Sequence, residues 1–198
     1  MPDTDRRPDP PVAPLFPERW SRRAFADRPV APETVHQLFE AARWAPSCFN
    51  EQPWLFLYAR TAADLERFRP LLVDKNRLWA ERAPVLAFAF ARRHFDRNQS
   101  PNRWAHFDTG AAWMSLALQA QMLGLSAHGM GGIHFDRVHD ALGVPADRFD
   151  AICGIAIGYP GDPASLPDDL RARENPSPRR PRQTFAHEGR FQPSTESV

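Results

Sequence analysis

Residues 41–54, AARWAPSCFNEQPW, run from the end of a helix through a polar loop into a strand. Upstream, Pro32-Glu33 opens the helix, and Val35, Leu38, Phe39 and Ala42 fall on one of its faces. Pro46 must stop it, because proline lacks the donor and its ring clashes with the preceding turn. Downstream, Trp54 to Ala59 reads as a strand, with Trp54 starting it and packing in the core. Between them the loop packs Ser47, Asn50 and Gln52 between two prolines.

The elements continue to alternate outward from this loop. Ala62 to Leu72 suggests a helix. Pro84 to Ala91, PVLAFAFA, is a short apolar run suited to a strand buried on both faces. Phe107 to Leu125 makes a long helix ending beside Gly124. Ala112, Trp113, Leu116, Ala120 and Leu123 form one apolar stripe on it; Met114, Leu118, Met122 and Leu125 form another. A helix apolar on so much of its circumference is buried on both sides, either at the centre of a monomer or against a second subunit. Val138 to Leu142 is a short helix and Ile152 to Tyr159 a last buried strand. Six of the 21 prolines fall within the first 17 positions, and another group runs from Pro160 to Pro193. Residues 1–14 therefore read as a disordered arm, 15–162 as the folded domain, and 163–198 as an extended segment with Phe185 and Phe191 as anchors.

Bulk properties exclude several classes. A net charge of +1 and a pI of about 7.9 give no global field for nucleic acid or an anionic membrane. Of the 25 basic residues only Lys75 is lysine, so arginine clusters must be judged by their neighbours. Cys48 and Cys153 form no C-x-x-C pair, which signals neither a zinc site nor a disulfide framework and fits a reducing cytoplasm. The N-terminus has no apolar signal core, and no run reaches the roughly 18 apolar residues of a membrane helix. His128, His134 and His139 match no metal-ligand spacing. No G-x-G-x-x-G and no phosphate-loop motif occurs.

Two further segments carry chemistry. In Arg19-Trp20-Ser21-Arg22-Arg23-Ala24-Phe25, Arg19, Ser21 and Arg23 share one side of an extended chain, so two guanidiniums and a hydroxyl can converge on a phosphate; the alternative is a solvated basic loop. Gly129-Met130-Gly131-Gly132-Ile133 lets a ligand approach the backbone closely, or else marks a turn.

Taken together, the R-x-S-x-R-x-F segment and the P-S-C-x-N-x-Q-P-W segment resemble the nitroreductase family of FMN enzymes, whose motif at this spacing is P-S-S-x-N-x-Q-P-W. The resemblance spans roughly residues 16–191. It implies an α+β fold: a central, mainly antiparallel sheet wrapped by helices, in an intertwined homodimer whose C-terminal extension embraces the partner and adds an edge strand. It implies that Arg19, Ser21 and Arg23 hold the FMN phosphate and ribityl chain. Pro46, Ser47 and Asn50 would reach the flavin of the partner subunit, and Asn76 its pyrimidine edge. Met130, Gly131 and Gly132 would lie against the isoalloxazine. Within Ser177-Pro178-Arg179-Arg180-Pro181, Arg179 rather than Arg180 resembles a closing phosphate contact. Cys48 replaces the motif's second serine, and Ile133 stands where an aromatic is common.

The implied activity is transfer of a hydride from NADH or NADPH through flavin N5 to small acceptors, nitroaromatics and quinones, by a ping-pong scheme without a protein acid or base. Phe95, Trp104 and Phe107, in the polar stretch from Arg92 to Phe107, either belong to a surface loop or roof the flavin and select flat acceptors. No metal, nucleic acid or membrane partner is expected. The alternatives are a specialised relative, an enone reductase or reductive dehalogenase, and a non-catalytic flavin-storage protein.

Overall fold

The computed structural model describes Arg6 and residues 8–191. Seven helices, α1 (Leu15–Glu18), α2 (Pro32–Arg43), α3 (Ala62–Phe68), α4 (Asp74–Ala80), α5 (Ala105–Met122), α6 (Val138–Leu142) and α7 (Asp168–Arg171), surround four strands. These are β1 (Trp54–Ala59), β2 (Val85–Arg92), β3 (Ser126–Met130) and β4 (Phe149–Gly158). They form one sheet in the order β1-β2-β4-β3, and every neighbouring pair is antiparallel. The architecture is the expected α+β fold.

The apolar run in β2 explains the layering. Side chains alternate across a strand, so Leu86, Phe88 and Phe90 point to one face and Val85, Ala87 and Ala89 to the other; all six are buried. The phenylalanine face packs against α3, α4 and α6 through Leu65, Phe68, Trp79 and Val138. The alanine face admits α2 and α5, which bring Val35, Leu38, Ala112, Leu116 and Ala120 close to the sheet. Each fully buried Phe or Leu here contributes about 1.5–3 kcal/mol.

Several boundaries differ from the sequence reading. The helix expected over 62–72 is α-helical only to Phe68 and tightens into a 3-10 turn over Arg69–Leu71, where Pro70 lacks a donor. A helix follows at once, α4, which the sequence reading left out. The long helix begins at Ala105, two residues early, and ends at Met122. Its first stripe is buried through Ala112, Leu116 and Ala120, whereas Met114 and Met122 are exposed. Leu125 does not belong to that second stripe: it lies beyond the helix, fully buried.

The C-terminal segment is less extended than expected, with 3-10 turns at Pro163–Ser165 and Arg182–Thr184 flanking α7. Among the described residues no strand follows β4. Phe185 and Phe191 do not anchor it within the chain, since both are exposed. The expected arm over 1–14 lies partly outside the described residues. No helix among the described residues is long and apolar enough to cross a membrane.

Candidate cofactor site

The segment carrying Arg19, Ser21 and Arg23 is pinned where β4 ends. Ala26 N–H donates to the Tyr159 carbonyl (2.9 Å), and Gly161 N–H donates to that of Ala24 (2.9 Å). Gly161 is required here, because a Cβ would lie 2.4 Å from the Phe25 carbonyl carbon. Glu174 fixes the segment from the other side. One of its oxygens accepts the backbone N–H groups of Arg23 (2.7 Å) and Ala24 (3.0 Å), and the other lies 3.5 Å from the Arg23 guanidinium. Glu174 is buried, and it draws the C-terminal segment over Arg19–Arg23.

A cavity of about 390 Å³ results, lined by Arg19, Trp20, Ser21, Arg23, His128, Arg173, Asn175, Ser177 and Arg179. Four guanidiniums, two hydroxyls and an amide converge there, and no carboxylate lines it. Burial first, and the nearby Arg179 charge second, hold the Arg19 guanidinium below its ordinary pKa. Of the four guanidiniums Glu174 meets only that of Arg23, so the others leave a demand for a bound anion, and guanidinium forks suit a phosphate. The cluster is therefore not a solvated basic loop. Arg179, two residues before Pro181, lines the cavity and Arg180 does not.

His128, on β3, also lines the cavity. Its Nδ1–H donates to the Arg22 carbonyl (2.9 Å), and its ring lies on Trp79 with centroids 4.5 Å apart. Burial is the main cause that pushes its pKa down to about 4, so the imidazole is neutral at pH 7.

β3 then runs into Gly131 and Gly132. The Gly132 carbonyl accepts Val73 N–H (3.2 Å) and the Asn76 side-chain amide (3.0 Å). A Cβ on Gly132 would meet the Asn76 nitrogen at 2.6 Å, so glycine is what admits this contact. The structure thus joins Asn76 to the glycine pair. The Met130 side chain, however, is buried in the core beside Ile133, which leaves its backbone as the part able to meet a ligand.

The 46–52 loop is built differently. Phe49, Asn50 and Gln52 all have positive φ (54°, 58° and 47°), a conformation costing roughly 1–2 kcal/mol per non-glycine residue that clusters at functional sites. Cys48 N–H donates to the buried Asp108 carboxylate on α5 (3.0 Å), and Gln52 N–H to Ser47 Oγ (2.9 Å). Arg97 lies over the Phe49 ring at 4.0 Å, and Phe95 meets that ring edge-on. Pro46 and Asn50 are exposed, and no residue of this loop lines the arginine cavity. Phe95 is buried under Phe49, while Trp104 and Phe107 face solvent. Within one chain these three aromatics do not form a common roof.

Sequence reasoning missed His128 and Glu174. The only available signal for Glu174 was its standing as the sole acid between Asp169 and Glu188. Among the described residues no cluster of histidine, cysteine and carboxylate side chains could hold a metal ion.

The chain is similar to known proteins over most of its length. A solved structure described as an oxidoreductase containing FMN superposes with a TM-score of 0.92 at 44% identity, over 98% of this chain and 100% of that one. A Desulfovibrio desulfuricans protein, provisionally named a nitroreductase and solved in complex with FMN, gives 0.72 at 26% identity, over 92% and 100%. A Streptomyces coelicolor protein provisionally named NADH dehydrogenase/NAD(P)H nitroreductase is 30% identical over 180 residues, 78% of this chain and 85% of its own. The family model described as the nitroreductase family matches residues 17–78 and 71–159, and the chain belongs to that family.

Proposed function

We propose that this chain is an FMN-dependent NAD(P)H oxidoreductase that reduces small organic acceptors, with nitroaromatics and quinones as the acceptor class. The observation that carries the reading is the acid-free cavity in which Arg19, Ser21, Arg23 and Arg179 converge. It meets the charge and geometry of the FMN phosphate. Asn76, Gly131 and Gly132, joined at the end of β3, would hold the isoalloxazine; a Cβ at Gly131 would meet nothing within 4 Å, so the backbone there is open to a flat ring.

Bound FMN supplies the redox chemistry, taking up a hydride at N5 from NADH or NADPH and releasing it to the acceptor. The chain's part is to bind and orient. Its arginines neutralise the phosphate, and the backbone beside Gly131 offers a hydrogen-bond donor near the ring. Donor and acceptor would use one site in turn, which is a ping-pong scheme.

A homodimer completes the reading. Pro46, Ser47 and Asn50 stand on a strained, exposed loop, and Trp44, Phe49, Phe107, Met114 and Met122 leave large apolar side chains in solvent. Apolar side chains of this size are what a subunit interface would bury. A second subunit would cover them and bring the 46–50 loop, with Trp104 and Phe107, over its partner's flavin.

The test is the visible spectrum of the purified protein before and after anaerobic NADH or NADPH. Flavin bands that bleach, and return on adding a nitroaromatic or quinone, are expected. Bands that persist under both donors would favour a flavin-storage protein or an unusual electron donor instead.

A further inference from the structure

His128 stands in the phosphate cavity with one ring nitrogen already committed. A carbonyl can only accept, so the 2.9 Å contact to Arg22 fixes the proton on Nδ1. The neutral ring then presents a lone pair at Nε2. Nothing among the described residues bonds to Nε2, nor is it one of the buried polar atoms lacking a partner. It is therefore open to the cavity that the ring lines beside Arg19, Ser21, Arg23 and Arg179.

A phosphate dianion carries only acceptors, so a neutral Nε2 facing it sets lone pair against lone pair. We propose that His128 receives the cofactor phosphate through one shared proton, so that FMN enters this cavity together with a proton from solvent. The inference rests on the FMN reading above and concerns its pH dependence.

The surroundings isolate His128 as the group that responds. From the 19–25 segment it faces Arg19, the Arg22 carbonyl and Arg23; from the C-terminal segment, Arg173, Glu174 and Arg179; from α4, the uncharged Trp79. The arginines keep their protons throughout the range used. Glu174 is held by two backbone donors and the Arg23 guanidinium. Before binding, burial keeps His128 neutral well above pH 4, where the arginine charges oppose its protonation. The incoming dianion reverses that field and favours a proton between Nε2 and oxygen.

The sign follows. The second pKa of a phosphate monoester is roughly 6, so above about pH 6.5 both partners meet without the proton. Raising the pH must then weaken FMN binding, by at most about tenfold per pH unit for one proton. Riboflavin has no phosphate and should not respond.

The experiment measures dissociation constants of FMN and riboflavin for the full-length apoprotein at pH 6.5, 7.5 and 8.5, by flavin fluorescence. The same titration is made on His128→Gln, whose amide donates without titrating. The expected result is an FMN-over-riboflavin preference that falls by about tenfold or more across this range and stays flat in His128→Gln. A preference independent of pH in the parent protein overturns the inference while leaving FMN binding intact; this arm decides even if the variant fails to fold. A slope that survives in the variant also overturns it, because another group then holds the proton. Failure of both flavins to bind at any pH removes the FMN reading itself, and the inference with it.

Discussion

The arginine cavity and the 46–52 loop hold the two motifs that carry the family resemblance, and the fold treats them in opposite ways. The cavity is finished within one chain. Its walls come from residues 19–23, from β3 and from 173–179, and Glu174 ties the first of these to the last. The loop is also fixed, through Asp108 and Ser47, yet Pro46, Phe49, Asn50 and Gln52 stay exposed. Its side chains are presented outward with strained backbone beneath them. On the proposed reading, a single subunit would supply the whole phosphate end of the cofactor site, whereas the ring end would be completed by a second one.

The comparison breaks most easily at the uncovered surface. Met114→Glu with Met122→Glu places two carboxylates on the exposed face of α5, where burial against a partner would cost several kcal/mol per charge. Sedimentation should show a dimer for the parent and a monomer for the double variant, with folding intact because both side chains are exposed. A parent that sediments as a monomer would remove the second subunit from the account.

A smaller effect is expected at the finished cavity. Glu174→Ala leaves two backbone donors and a guanidinium without their acceptor, a loss of about 3 kcal/mol. Thermal unfolding of the apoprotein should shift down accordingly. An unchanged midpoint would show that the C-terminal segment is not fastened there.

These two regions were unequally legible. Local spacing left Arg19, Ser21 and Arg23 open between a phosphate site and a solvated loop; it was the family resemblance that assigned them, with Arg179, to a phosphate, and the structure brings all four to one cavity. The run in β2 disclosed a strand buried on both faces, since Phe and Ala alternate but neither is polar. Glu174 was invisible, because its partners are backbone N–H groups some 150 positions away. His128 was weighed only as a metal ligand, its role depending on a carbonyl and a ring brought by other elements. α4 escaped because Asp74–Ala80 is short and follows a proline turn. Phe185 and Phe191 are exposed within the chain; hydrophobicity alone marked them as anchors, and it does not say whether the covering surface belongs to the same chain.

The most direct test of the central claim is a titration of FMN and riboflavin into apoprotein, parent against Arg19→Ala. Arg19 lines the cavity and should give the phosphate a charge-assisted hydrogen bond worth about 1.5–3 kcal/mol. The account therefore predicts a roughly ten- to hundredfold loss of FMN affinity with riboflavin affinity unchanged. Equal losses for both flavins, or none for FMN, would contradict the assignment of this cavity to the phosphate.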